Sequence, residues 1–327
     1  MPESPLNIVI IGAGAIGTAL GSVLAETGRN STVLHSIETD VVESINTKSI
    51  NTRYFPTIPL THALKATSDN SVFQSADIIF LAIPSVVLMD YMVSIKSFIR
   101  PETILINMAK GFGFEHKTIV RCLSEQFPNP ICTLKGPSFA REILNRVPTG
   151  MTLGTVNSEA AATVSRIFEG TTLDIDHSSD PEGVEMLSIL KNIYAIVIGI
   201  VDAHFNSPNI RFMILTKAFR EMHNILLQFG GKEETIFMYC GFGDFTLTAL
   251  NDLSRNRTLG LLIGKGFFSE HVSHDLVLEG QVAVNVFYDE ISKFRDVKKE
   301  FPIIAELYNI FNDHYDISGF VKNVLTF

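Results

Sequence analysis

Tryptophan is absent from this 327-residue chain, and cysteine occurs three times, as Cys122, Cys132 and Cys240. An odd count with no Cys-x-x-Cys pair argues against a disulfide framework or a zinc knuckle and fits a reducing cytoplasm. Positive charge is scarce as well. Lys and Arg number 26 against 35 Asp and Glu, a formal charge of -9. That balance opposes a general nucleic-acid or anionic-membrane surface, which needs clustered cations, so an anionic ligand requires a local basic pocket. The opening Met1-Pro2-Glu3-Ser4-Pro5 runs at once into a strand-like stretch, with no charged-then-apolar leader. No apolar run reads as long enough to span a bilayer, so no membrane insertion is expected. Internal repeats and low-complexity tracts are also missing. What is present is 46% hydrophobic residues, 19% charged residues and 24 Phe, the makings of a well-filled interior. The length favours two domains over one core.

The first half alternates short apolar runs with helical patterns, the rhythm of an α/β doubly wound parallel sheet. Strands are predicted at 7–11, 31–35, 78–83, 104–108 and 131–134, with a helix carrying Leu20, Val23 and Leu24 after the first. Between 171 and 180 the chain turns polar, and Ser179-Asp180-Pro181-Glu182 offers an N-cap followed by Pro at the first helical position. The domain boundary is placed there: 1–180 as a Rossmann-like dinucleotide-binding domain and 181–327 as a helical domain. Beyond it, helices are predicted at 184–201, 210–229, 258–265, 281–294 and 303–311. The mixed-sign cluster 295–300 reads as a solvated loop or helix end.

Lys191 lies in the most apolar stretch of the chain, Leu187-Ser188-Ile189-Leu190-Lys191-Asn192-Ile193-Tyr194-Ala195-Ile196-Val197-Ile198-Gly199-Ile200-Val201. One helical face holds Leu187, Leu190, Tyr194, Val197 and Val201, another Ile189, Ile193, Ile196 and Ile200, which leaves little polar surface for the amine to reach. Poor hydration favours the neutral amine and brings its pKa toward the range useful for proton transfer. The competing reading is a lysine that snorkels from an amphipathic helix to water. Asn192 and Tyr194 need partners on either reading.

Gly12-Ala13-Gly14-Ala15-Ile16-Gly17 follows the first strand and opens a helix, the setting that a dinucleotide fingerprint requires. Gly12 allows the tight turn, Gly14 lets the backbone approach a pyrophosphate, and Gly17 lets the helix pack against the sheet. The second strand ends in Leu34-His35-Ser36, without the acidic residue that usually holds an adenosine ribose. Glu38 could serve from the following loop, while the neutral His35-Ser36 pair would tolerate a 2'-phosphate. NAD and NADP both remain open.

Further segments carry a resemblance: Asn107-Met108-Ala109-Lys110-Gly111, Gly136-Pro137-Ser138-Phe139-Ala140-Arg141-Glu142, Leu190-Lys191-Asn192, Gly241-Phe242-Gly243-Asp244, Ser254-Arg255-Asn256-Arg257 and Leu278-Glu279-Gly280. In this order they resemble the NAD(P)-dependent sn-glycerol-3-phosphate dehydrogenases, with support from Asn51-Thr52-Arg53-Tyr54-Phe55-Pro56 and Ala82-Ile83-Pro84-Ser85. The resemblance runs from residue 7 to about 280 and weakens toward the C-terminus.

It implies a Rossmann-like domain joined to an all-helical substrate domain of the 6-phosphogluconate dehydrogenase C-terminal type. The implied reaction interconverts dihydroxyacetone phosphate and sn-glycerol 3-phosphate, with NAD or NADP as cofactor. By the resemblance, Lys191 is the general acid and base, Lys110 assists, and Asp244 orients Lys191 or a substrate hydroxyl. Substrate contacts are implied for Lys110, Gly136, Ser138, Lys191, Asn192, Asp244, Ser254, Arg255 and Asn256. Cofactor contacts are implied for Gly12, Gly14, Ala15, Ile16, Gly17, His35, Tyr54, Lys110, Ala140, Arg255 and Glu279. The implied setting is the cytoplasm and phospholipid backbone supply, with a homodimer left open.

Each motif has a plainer reading beside it. Lys110 next to a glycine turn could be a surface lysine, Asp244 a turn residue or helix cap, and Ser254 an N-cap with its arginines in solvent. The chain also departs from the resemblance. Relatives carry small residues where this chain reads Ala203-His204-Phe205-Asn206-Ser207-Pro208-Asn209-Ile210-Arg211-Phe212-Met213. Phe212 and Met213 either repack the helical domain, reshape the pocket toward another polyol phosphate, or alter a subunit contact. Ile16 stands where many relatives have an aromatic residue. His271-x-x-His274 lacks an evident third ligand, so no metal is expected. Gly136-Pro137-Ser138 lacks the Gly-x-Ser-x-Gly elbow of a hydrolase. A ketopantoate or 3-hydroxyacid reductase and a catalytically silent dinucleotide sensor stand as alternatives.

Overall fold

The computed structural model describes residues 4–267, 274–312 and 317–326, and for 274–279 the backbone alone. The chain divides into two compact units, 1–185 and 186–327. In unit 1, strands β1 (Asn7–Ile11), β2 (Ser31–His35), β3 (Lys65–Thr67), β4 (Ile78–Leu81), β5 (Ile104–Asn107), β6 (Ile131–Lys135), β7 (Thr149–Gly154) and β8 (Leu173–Ser178) make one sheet. Its order is β3-β2-β1-β4-β5-β6-β7-β8. All neighbours run parallel except β6 and β7. The order turns back at β1, and in open parallel sheets ligands gather beyond the strand ends at that point.

Helices α1 (Ala15–Glu26), α2 (Thr39–Lys48), α3 (Ser85–Ile95), α4 (Ile119–Gln126), α5 (Ala140–Leu144) and α6 (Ser158–Phe168) connect the strands. Alternation along β1 sends Ile8 and Ile10 into one apolar layer and Val9 and Ile11 into the other, and β4 divides Ile78 and Phe80 from Ile79 and Leu81 in the same way. Both faces are therefore covered, which is why the central strands read as continuous apolar runs.

The three strands absent from the sequence reading have weaker signals. β3 is three residues long, and β8 reads Leu-Asp-Ile-Asp-His-Ser with only its end residues buried. The polar stretch placed at a domain boundary is thus an edge strand of the sheet, its middle residues partly or fully exposed.

α7 (Pro181–His204) begins where the cap signal predicted, Asp180 Oδ1 accepting the Gly183 N–H at 2.9 Å. It corrects one expectation. By length and composition this helix could cross a membrane, with a mean hydropathy of 1.8, yet 94% of that apolar window is buried inside the protein. An apolar helix buried on every face is a core helix.

Unit 2 continues with α8 (Pro208–Gln228), α9 (Asp244–Leu250), α10 (Arg255–Gly264), α11 (His274–Ser292), α12 (Val297–Glu300), α13 (Pro302–Asn312) and α14 (Ile317–Thr326). Two buried acids fasten these helices. Asp202 on α7 accepts both from Arg211 of α8, at 2.8 and 2.9 Å, and from Arg257 of α10 at 2.8 Å. Glu221 of α8 accepts the Tyr194 hydroxyl at 2.9 Å and the Ile303 and Ile304 amides at 3.0 and 2.8 Å, so it caps α13. Burial pushes the Glu221 carboxyl up to about 7 against the opposing pull of those donors. The helices α7 and α10 cross backbone to backbone at Gly199 and Gly260. A Cβ on Gly199 would strike the Arg257 carbonyl, and one on Gly260 the Ile196 carbonyl.

Candidate active site

The dinucleotide turn in unit 1 follows from its glycines. Gly12 takes φ 106°, and a Cβ there would press on the Ala82 carbonyl at 2.6 Å. Gly17 packs directly on Gly12, and a Cβ on Gly14 would meet nothing within 4 Å. The α1 N-terminus carries no side-chain cap, so its first amides remain to be satisfied from outside the turn, as an anion would satisfy them. These features fit a dinucleotide pyrophosphate, with Ala15 and Ile16 in the first turn of α1.

Asn51, fully buried, fastens the 51–56 segment to this turn. Its Nδ2 donates to Ala13 O and Thr18 Oγ1, both at 2.8 Å, and its Oδ1 accepts from the amides of Arg53 and Tyr54 at 3.3 and 3.2 Å. Tyr54 is exposed beside the loop. His35 takes part through its backbone, its carbonyl accepting from Gly12 N–H at 2.8 Å. Its imidazole is buried, with Nδ1 at 3.2 Å from the Tyr91 hydroxyl, and burial holds it below the usual histidine value.

Lys110 follows β5 and is half-buried. The loop that presents it rests on a polar cluster that the sequence reading missed. Lys135, at the end of β6 and 1% exposed, donates to the carbonyls of Asn107 and Ala109 at 3.1 and 2.7 Å. Asn107 donates to Glu185 Oε1, and Glu185 Oε2 accepts from Val120 N–H at 3.1 Å. Burial raises the Glu185 carboxyl, partly offset by the neighbouring Lys135 ammonium and the Asn107 bond. Nearby, Gly136 follows β6, the Ser138 hydroxyl donates to Gly136 O at 2.9 Å, and Ala140 opens α5.

In unit 2 the amine of Lys191 does not snorkel. The residue is 2% exposed, and Nζ donates to Asp244 Oδ1 at 2.5 Å and Thr248 Oγ1 at 3.1 Å. Two charges removed from water persist only when they are paired and hydrogen-bonded, and Asp244 supplies that partner. Asp244 is placed differently from expectation. The glycines before it form a π-helical turn, Tyr239–Gly243, and Asp244 is the first residue of α9. Thr248 lies one helical turn later, so Asp244 and Thr248 share a face; that i, i+4 spacing was the overlooked signal. Asp244 Oδ2 is buried with no partner among the described residues. Asn192 Nδ2 donates to Ser188 O at 3.4 Å.

The Ser254-Arg255-Asn256-Arg257 string divides into two roles. Ser254 is the N-cap of α10, its hydroxyl accepting from Arg257 N–H at 3.3 Å, and buried Arg257 is held by Asp202 and Asp252. Arg255 is exposed and Asn256 half-buried on the first turn, with no hydrogen bond or ion pair among the described residues. A fork-shaped cation at a helix N-terminus is well matched to a phosphate.

Phe212 and Met213 are exposed on α8, 54% and 40%. They therefore do not repack the interior of unit 2. For Glu279 only the backbone is described, within α11, and its side chain lies outside the described residues. The same holds for the side chain of His274, and His271 lies outside them altogether. Among the described residues no cluster of metal-ligating side chains occurs.

Comparison with known proteins agrees along the whole chain. Residues 7–161 match the family profile of the NAD-dependent glycerol-3-phosphate dehydrogenase N-terminus, and residues 180–322 match that of its C-terminus. A glycerol-3-phosphate dehydrogenase [NAD(P)+] of Clostridium acetobutylicum is 33% identical over 95% of this chain and 94% of its own length. One from Methanothermobacter thermautotrophicus is 36% identical over 80% of this chain and 81% of its own. The crystal structure of glycerol-3-phosphate dehydrogenase from Coxiella burnetii superposes with a TM-score of 0.86 at 27% identity, covering 99% of this chain and 100% of that one. The chain belongs to the NAD-dependent glycerol-3-phosphate dehydrogenase family.

Proposed function

We propose that this protein is an NAD(P)-dependent oxidoreductase that interconverts dihydroxyacetone phosphate and sn-glycerol 3-phosphate, with Lys191 as its general acid and base. The observation that carries the reading is the buried Lys191 amine, bonded to Asp244 and Thr248. When bound, the nicotinamide supplies or accepts the hydride.

In reduction, the substrate carbonyl carbon gains hydride and its oxygen gathers negative charge. Lys191 stabilises that charge in a dry site and passes a proton to the oxygen, leaving a neutral amine. In oxidation, the neutral amine takes the hydroxyl proton as hydride leaves carbon. Asp244 Oδ1 fixes the amine, and its unpartnered Oδ2 can accept from a substrate hydroxyl. Arg255, Asn256 and the first amides of α10 grip the phosphate, while Lys110, Gly136, Ser138 and Asn192 complete the substrate contacts. Ser254 serves this grip as the cap that starts α10.

The cofactor rests on Gly12, Gly14, Ala15, Ile16 and Gly17, with Tyr54, Lys110, Ala140, Arg255 and Glu279 as further contacts. A cytoplasmic location follows from the same reading and is supported by three free, buried cysteines.

The phosphate grip separates this reading from a ketopantoate-type reductase, and the intact Lys191–Asp244 pair separates it from a silent sensor. The test is oxidation of reduced nicotinamide, followed by absorbance, with dihydroxyacetone phosphate. Turnover with that substrate and none with its unphosphorylated analogue is expected. Absence of turnover with both NADH and NADPH would sink the proposal.

A further inference from the structure

The far end of the dinucleotide site, where the adenosine ribose lies, is built from the C-terminal end of β2 and the loop behind it. His35 and Ser36 were the residues able to tolerate a 2'-phosphate, and both are buried. His35 turns its ring toward Tyr91 and Phe73, and the Ser36 oxygen accepts from Glu38 N–H at 3.1 Å. The next side chain, Ile37, is 82% exposed and apolar. Glu38 then brings a carboxylate to the strand end.

Arg53 is the basic residue in reach of that carboxylate. The Asn51 anchor on the dinucleotide turn brings it there, and it is shared between Glu38 and Asp40, the latter at 3.7 Å. Two carboxylates thus stand against one guanidinium. A ribose 2'-hydroxyl can donate to Glu38, whereas a 2'-phosphate brings about two negative charges into this surplus.

We infer that this chain selects NAD over NADP, with Glu38 as the ribose-reading residue and Arg53 as the side chain that positions it. The inference rests on reading the Gly12 to Gly17 turn as the cofactor loop.

The test is equilibrium binding of NADH and NADPH to the intact protein, by nicotinamide fluorescence and by calorimetry, without substrate. NADH is expected to bind at least about tenfold more tightly. Glu38→Ala removes the reader and releases Arg53, so NADH weakens, NADPH strengthens and the preference collapses or inverts. Glu38→Gln keeps the size, removes the charge and moves the ratio in the same direction. Equal or tighter binding of NADPH by the unaltered protein overturns the inference, as does binding of neither nucleotide. A ratio untouched by both substitutions overturns the assignment to Glu38. Selective loss of NADPH binding in Arg53→Ala would make Arg53 a phosphate ligand and overturn it too. Tight NADH binding without turnover of dihydroxyacetone phosphate leaves this inference standing and defeats the proposed reaction.

Discussion

Each unit buries one lysine beside a carboxylate, and the two pairs differ in how completely they are satisfied. Beside Lys135, both oxygens of Glu185 accept hydrogen bonds, from Asn107 and Val120, while Lys135 donates to two carbonyls. Beside Lys191, one oxygen of Asp244 has no partner among the described residues. Burial is the same in both cases, so burial alone does not mark a catalytic amine. A closed set of partners makes a buried charge a structural fastener, and an incomplete set leaves valence for a substrate.

The largest effect that would separate the pairs is on turnover. Lys191→Met is expected to lower kcat by about a thousandfold or more, and also to lower Tm, because Asp244 is left buried without its cation. Lys135→Met should lower Tm with a far smaller loss of turnover. Leaving Glu185 buried without its cation costs about 3–5 kcal/mol, a fall of about 10 °C in Tm for a unit of this size. Replacing both members, as Lys135→Met with Glu185→Leu, should recover most of that loss. If the double variant melts no higher than either single one, the fastener interpretation fails.

The arginines of α10 extend the contrast. Arg255→Ala should raise KM for dihydroxyacetone phosphate by about tenfold or more, the value of a charged hydrogen bond, with Tm unchanged. Arg257→Ala should instead lower Tm, because Asp202 loses a buried partner. An unchanged KM in Arg255→Ala would place the phosphate elsewhere. Thr248→Val, which removes an acceptor of the Lys191 amine and a donor to Asp244 Oδ1, should lower kcat severalfold, about 1 kcal/mol.

Glu221 supplies a third case, a buried carboxylate held by Tyr194 and two amides, with no ion pair among the described residues. Its folded-state value is raised from 4.5 to about 7. The unfolded chain therefore ionises first as pH rises, so stability from the protonated carboxyl is full below the unfolded value and lost as pH climbs through about 7. Glu221→Gln should flatten that part of a Tm against pH profile. An unchanged slope would assign the dependence to another group.

These pairs also show what sequence can disclose. Lys191 was legible because the helical stretch around it, 187–201, is almost entirely apolar, and the glycine turn because its strand and helix stood on either side. Lys135 was not, since it closes a strand whose other residues read as ordinary core and its partner Glu185 is fifty residues away. Thr248 was hidden for a related reason, since its role depends on α9 starting at Asp244 instead of a loop continuing there. The helix start at Asp180-Pro181 is a local signal and agrees with the structure, whereas the polar stretch just before it, placed at a domain boundary, is the edge strand β8. Local chemistry is written in neighbouring letters, and long-range satisfaction of charge is not.

The glycine crossing of α7 and α10 sets a ruler. Lys191 stands about 12 Å along one helix from Gly199, and Arg255 about 7.5 Å along the other from Gly260, at 1.5 Å per residue. Because backbone meets backbone there, neither helix can slide or lift without losing contact. On the proposed roles of Lys191 and Arg255, the two helices that carry proton donor and anion clamp are locked at their crossing, so phosphorylated substrates of altered chain length are expected to turn over more slowly.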